Sequence, residues 1–327
     1  MKAVWFNEFG KAREVLVYGE LENITPAPGE VLIRLHASGV NPSDVKKRMG
    51  SAPSLLDQGF VIPNSDGAGI IEAVGEGIDP SRLGERVWTY NGQFGRRMGT
   101  SAEYISLPAD QAVLLPKEAS FAVGACMGIP AMTAHRCVMA GEGIEGQIVL
   151  VTGGAGRVGY YAIQWAKHAG ATVIATAGSE TSHQHCLDAG ADYVVGHPSE
   201  ESNARILAYT QGRKIDRVIE GDFGANLPHI LAVLASSGTI ATYASMTDPH
   251  PRLEFYKMMF MDITLRLVLV YAMPRQAKEA AANDITTLLQ IHGLKHRIAR
   301  KFPLKDSAEA HEAIEAGNQF GCVILEM

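Results

Sequence analysis

The segment IVLVTGGAGRVGYYAIQWAKHAG (148–170) carries the sharpest chemical signal in the chain. An apolar run ending at Thr152 meets a glycine turn, and an apolar, helix-like stretch (160–169) follows. Gly153, Gly156 and Gly159 set a GxxGxxG spacing. A strand that turns at once into a helix needs backbone freedom. A diphosphate laid on the turn needs bare N–H groups and a helix N-terminus aimed at it, and a third small residue lets helix and strand pack closely. The spacing alone is weak, because any strand–helix turn can carry glycine. Its place at the head of a strand–helix series turns it into a dinucleotide-site signal. Ala155, Arg157 and Val158 share the turn and join Gly153 and Gly156 as candidate contacts.

The second strand of the series ends at Ala175-Thr176-Ala177-Gly178-Ser179. An acidic residue at that tip would hold the ribose 2′-hydroxyl of NAD. A small tip without one leaves room for a 2′-phosphate, so NADPH is expected over NADH. No Lys or Arg occurs between Lys167 and Arg205. Candidates for the phosphate are Ser179, His197 after the third strand, and Arg157 in the loop, with Gly178 a further cofactor contact at the tip. Their plain alternatives are a helix-capping serine, a surface histidine and a solvated arginine.

The elements that position these residues follow a rhythm. Strand starts near Ile148, Thr172, Tyr193, Asp216, Thr239 and Ile263 recur at nearly constant spacing, and Gly170, Gly190 and Gly238 close intervening segments. Such a series predicts a doubly wound parallel sheet. Before it, apolar segments at 3–6, 31–40, 69–74, 85–90 and 101–116, punctuated by Gly, Pro and Asn, predict a β-rich region with a helix at 41–50. Residues 121–140 read as a helix interrupted at Pro130, 277–293 as a helix, and 302–327 as a strand–helix–strand tail that returns to the first region. The last series strand, 263–270 (ITLRLVLV), is long and apolar. As a sheet edge it would invite a second subunit, so a homodimer is expected, with a tetramer as the larger alternative.

Composition sets outer bounds. The chain has 327 residues, with 29 Lys plus Arg against 35 Asp plus Glu and a net charge of −6, which disfavours nucleic acid as a partner. No apolar run reaches the ~18 residues of a membrane span, and MKAVWFNEFG lacks a signal pattern, so a cytoplasmic protein is expected. Cys126, Cys137, Cys186 and Cys322 form no CxxC pair and no HExxH occurs, so no metal site is expected.

Six segments then stand in one order: HASGVNPSD (36–44), PNSDGAGIIEAVGEG (63–77), GERV (84–87), GIPAMTAHR (128–136), VTGGAGRVG (151–159) and AEAHEAIEAG (308–317). Together they resemble the zinc-independent medium-chain dehydrogenase/reductases, specifically the quinone oxidoreductase (zeta-crystallin-like) family. The resemblance implies an α/β fold: a GroES-like β-rich domain (1–122 and 272–327) interrupted by a Rossmann domain with a doubly wound parallel sheet (123–271). Positions matching the zinc ligands of related alcohol dehydrogenases are Asn41, Ser65 and Ile129, an amide, a hydroxyl and a hydrocarbon that make no useful zinc site. Arg157 replaces a usual loop glycine, Gln184 a lysine credited with phosphate binding, and the loop 91–100 is longer than usual.

The resemblance also assigns roles. Asn41 and Thr133 would lie near the nicotinamide and its ribose, Asn226 would contact the cofactor, and Tyr243, Ala244, Ser245 and Val270 would line its nicotinamide half. The expected reaction transfers hydride, or single electrons, from NADPH to a small-molecule quinone. Asn41 would donate to the acceptor oxygen, its alternative being a cap on the Pro42 helix. One rival is reduction of an activated C=C bond in an enone, enal or haloacrylate, with Tyr90, Tyr104, Arg96 and Arg97 as candidate cleft residues. Another is a non-catalytic NADPH-binding protein.

Overall fold

A computed structural model describes residues 1–327. The chain forms two compact units, Met1–Ile129 with Ala282–Met327, and Pro130–Ala281. The expected boundaries stood at 122/123 and 271/272; the contact boundaries fall later in both places.

The strands of the first unit begin with β1 (Lys2–Trp5), β2 (Val17–Glu20), β3 (Glu30–Val40), β4 (Asp66–Val74), β5 (Arg86–Thr89), β6 (Tyr104–Pro108) and β7 (Ala112–Leu114). The second unit contributes β8 (Ile148–Val151), β9 (Thr172–Thr176), β10 (Tyr193–Val195), β11 (Ile215–Glu220), β12 (Leu234–Thr242) and β13 (Thr264–Leu267). The chain then returns to the first unit as β14 (Ile298–Pro303) and β15 (Cys322–Glu326). In the first unit the strands run β14-β15-β3-β4-β5-β7, with β6 also on β3. The C-terminal strand β15 therefore sits inside this sheet, parallel to β14 and antiparallel to β3. Alternation along β3 buries Val31, Ile33 and Leu35 against Ile71, Val87, Ile105 and Leu107.

The second unit is the expected parallel sheet, in the order β10-β9-β8-β11-β12-β13. Strand order reverses between β8 and β11, which opens a crevice at their C-terminal ends. β8 (IVLV) is buried on both faces, as a central strand covered by helices must be.

Two expectations need correction. The edge strand spans four residues, not 263–270. Its partner β12 ends at Thr242, whose carbonyl accepts a last bond from Val268 N–H at 2.7 Å, and Val270–Ala272 coils into a tight helical turn. The helix at 121–140 is three pieces: Phe121–Gly124, a wide turn Met127–Ala131 holding Pro130, and Met132–Met139. Proline removes a helical donor and clashes one turn back, so the chain widens there.

One buried group gives the first unit an acid-sensitive share of its stability. His311 is fully buried, both ring nitrogens lack partners, and burial with the nearby Arg48 guanidinium pushes its pKa from 6.5 to about 3. The unfolded chain takes a proton below 6.5 while the folded imidazole does so only near 3. Stability is therefore complete at neutral pH and lost as pH falls through that window. At pH 5 the loss from this group is about 2 kcal/mol. His311→Leu should flatten denaturant-measured stability between pH 7 and 5 by that amount; an unchanged slope contradicts the assignment.

Candidate functional site

The candidate groups fall in two clusters, one in each unit.

In the second unit, the turn after β8 is pinned to both neighbouring strands. Thr152 N–H donates to Ile219 O at 3.0 Å, and Gly221 N–H to Thr152 Oγ1 at 3.1 Å. On the other side Gly153 N–H donates to Thr176 Oγ1 at 2.9 Å and Gly154 N–H to Thr176 O at 3.0 Å. Gly153 adopts φ +58°, a left-handed conformation, and faces open space. A Cβ on Gly159 would lie 2.4 Å from Gly153 O and 2.8 Å from Gly154 Cα, so helix and turn touch only because that residue is bare. Gly156 caps the helix Arg157–His168 without a side chain. The helix dipole adds positive potential at that end. A glycine turn with an open outer face leading into a helix N-terminus fits a diphosphate.

At the next strand tips, Gly178, Ser179 and His197 come together. All three are exposed, and a Cβ on Gly178 would stand 2.3 Å from His197 Nε2. Ser179 also caps its helix, its Oγ accepting from Ser182 N–H at 3.2 Å. No carboxylate stands between Ala175 and Ser179. Arg157 lies near enough to Tyr243, at the end of β12, to counter the upward push that burial gives that phenol.

At the reversal of strand order stands a residue the sequence reading missed. Glu220 closes β11, is fully buried, and accepts from Asn226 Nδ2 at 2.9 Å and from Asp222 N–H. Its Oε2 has no partner, and burial raises its carboxyl above the ordinary range. A carboxylate ending an apolar strand (RVIE, 217–220) was the available signal. Asn226 therefore spends one donor on Glu220. Ser245 Oγ accepts from Gly224 N–H at 2.9 Å, and Tyr243, Ala244 and Ser245 border an apolar cavity of about 500 Å³ with Phe223, Leu265 and Leu267. Thr133 and Val270 are buried in the same unit.

In the first unit, β3 delivers Asn41 to the start of the helix Pro42–Arg48. Its backbone N–H donates to Asp44 Oδ2 at 2.9 Å, which makes Asp44 a capping carboxylate. Its Nδ2 donates to Asp66 Oδ2 at 2.8 Å, and the same carboxylate accepts Ile129 N–H at 2.8 Å. Asp66 can come so close because residue 128 is glycine: a Cβ there would lie 2.0 Å from Asp66 Oδ1. Burial raises the Asp66 carboxyl well above its usual range, with the Ile129 and Asn41 bonds opposing. Asn41 keeps a second amide hydrogen for an acceptor. The three positions matched to zinc ligands present an amide, a hydroxyl and a backbone N–H, a donor set that does not suit zinc.

The cleft candidates have local partners. Tyr90 is buried and its hydroxyl donates to Asp110 O at 3.2 Å. Arg96 Nη1 donates to Ser106 O at 3.3 Å, and Arg97 donates to Gln58 O at 3.2 Å with its guanidinium 4.6 Å from the Phe60 ring centroid. Tyr104 stands on β6, where nearby Glu72 and partial burial push its phenol up.

A glycine-turn parallel sheet set into a discontinuous β-rich unit defines the class of the medium-chain dehydrogenase/reductases. The chain matches the model of the alcohol dehydrogenase GroES-like domain over residues 27–117 and that of the zinc-binding dehydrogenases over 158–287. It is 33% identical over 329 residues to a quinone oxidoreductase of Homo sapiens, covering 97% of this chain and 95% of that one. A mycobacterial structure complexed with NADPH superposes with a TM-score of 0.87 at 27% identity over 100% of both chains. The quinone oxidoreductase of Escherichia coli complexed with NADPH gives 0.87 at 25%, again over 100% of both. The chain belongs to the quinone oxidoreductase family of the medium-chain dehydrogenase/reductases.

Proposed function

We propose that this chain is an NADPH-dependent quinone reductase that works without zinc. The observation carrying the reading is the bare, open turn 153–159 joined to a strand tip with no carboxylate, where Gly178, Ser179 and His197 converge. The helix N-terminus after the turn would bind the diphosphate, Arg157 would add charge beside it, and Ser179 with His197 would take the 2′-phosphate. The cofactor supplies hydride when bound. The spare Asn41 hydrogen would meet the acceptor oxygen, with Asp66 fixing the amide's orientation. A quinone suits such a site because its reduced anion is delocalised.

NADPH consumption with 1,2- and 1,4-quinones, run beside enones, enals and acrylates, tests the reading. Quinone turnover without added metal supports it. Turnover of alkenes alone replaces it with reduction of activated double bonds, and NADPH binding without turnover of either class replaces it with a binding role. The local partners of Tyr90, Arg96 and Arg97 give no support to a carboxylate-bearing substrate.

The oligomer we infer is a homodimer through the outer edge of β13. That edge pairs with nothing, Leu267 is 75% exposed, and the preceding helix Phe255–Phe260 presents Tyr256 at 70% and Phe260 at 83%. Unpaired edge and exposed aromatics together favour a two-fold partner. Light scattering should give twice the chain mass, and Phe260→Asp should shift it toward one; a monomeric wild type refutes the inference. No helix is long and apolar enough to cross a membrane. A cytoplasmic location fits the mild net charge.

A further inference from the structure

The helix that begins after Asn41 carries a lysine that none of the roles above uses. Lys47 lies one turn beyond Asp44 and is half-buried. Its ammonium donates to Gln93 Oε1 at 2.8 Å, to Gln93 O at 3.1 Å and to Ser65 Oγ at 3.5 Å. The two shorter bonds fix the head. The third is at the outer limit of a hydrogen bond, so an incoming oxygen can replace Ser65 at little cost. The charges facing the ammonium are Asp44 on its own helix and Asp66 on β4. Asp66 is the carboxylate that orients the Asn41 amide. Two donors, one neutral and one charged, are thus tied through Asp66 and through the adjacent residue Ser65. Burial lowers the Lys47 pKa, while Asp44 and Asp66 raise it.

We propose that the Lys47 ammonium pairs with the acceptor oxygen as negative charge develops on it, giving up its Ser65 bond to do so. This assignment rests on the quinone-reductase reading. A hydride adds to one quinone oxygen and forms its O–H bond, the displaced π pair shifts through the ring onto the opposite oxygen, and that end of the hydroquinone anion sits against Lys47. The last proton comes from solvent after the product leaves, so quinone, NADPH and one proton yield hydroquinone and NADP⁺. A charged donor matters most where that anion is least stable by itself. Lys47 is then a catalytic residue and a determinant of acceptor preference.

The test is a 1,4-benzoquinone series from trimethylated to tetrachlorinated, with wild type, Lys47→Met and Lys47→Arg. Lys47→Met should lower kcat/KM for the trimethyl quinone about 100-fold, as loss of an oxyanion donor does, and for the tetrachloro quinone under about 10-fold. Lys47→Arg should recover part of the loss. NADPH affinity by calorimetry should stay within about twofold, since no binding role is assigned. Pentafluorophenolate, a stable stand-in for the product anion, should bind the NADP⁺-loaded wild type at least about tenfold more tightly than Lys47→Met. If Lys47→Met does not fold, Lys47→Gln reads the same slope. Equal losses across the series, or no loss, overturn the proposal while leaving the quinone reading intact. A wild type that reduces none of the quinones removes both.

Discussion

Gly159→Ala should raise the NADPH dissociation constant roughly 10- to 100-fold and lower the melting temperature of the chain. The new methyl would stand 2.4 Å from Gly153 O and 2.8 Å from Gly154 Cα, contacts that only backbone movement can relieve. Overpacking of this kind costs about 1–3 kcal/mol, and each 1.4 kcal/mol is a factor of ten in binding. The strain falls on the turn that leads into the helix N-terminus, because Gly153 and Gly154 are held from the far side by Thr176. Calorimetric titration beside a melting curve measures both effects. Unchanged affinity in a folded variant would show that the turn does not hold the cofactor.

The second large effect separates two basic residues. His197→Ala should weaken NADPH about tenfold or more while NADH changes less than about twofold, because a charged hydrogen bond to phosphate is worth about 1.5–3 kcal/mol and only NADPH has the 2′-phosphate. Arg157→Ala should weaken both cofactors by the same factor. Arg157 begins the helix after the glycine turn and lies toward Tyr243, whereas His197 packs on Gly178 at a different strand tip. From sequence alone both residues were candidates for the 2′-phosphate and both substitutions would have selected against NADPH. A selective loss of NADPH in Arg157→Ala would return that residue to the phosphate group. Equal losses in His197→Ala would remove it.

The glycine turn and the parallel sheet were legible in the sequence because each rests on local chemistry. Gly153, Gly156 and Gly159 lie within one turn and its helix, and every strand–helix step repeats the same punctuation. The edge strand was misjudged because its length is set by β12, not by its own apolar residues. The segment 121–140 read as one interrupted helix because Pro130 marks a break without saying what shape the break takes. Lys47, Ser65 and Gln93 converge from a helix and two loops. No local pattern reports a meeting of that kind, and a lysine beside another lysine in KKR (46–48) reads as solvated charge. Glu220 carried a signal, a carboxylate ending an apolar strand, but its partner Asn226 arrives from the next helix.

The placement of β15 between β14 and β3 governs the order in which the polypeptide can mature. A ribosome finishes Pro130–Ala281 while the residues that fill the middle of the other sheet are still untranslated. The 130–281 unit can fold during synthesis, but the unit bearing Asn41 and Lys47 stays open along β3 until β15 has been made. Nascent chains stalled before β15 would therefore carry a folded 130–281 unit and an exposed strand edge, which makes the synthesis of β14 and β15 an interval of aggregation hazard.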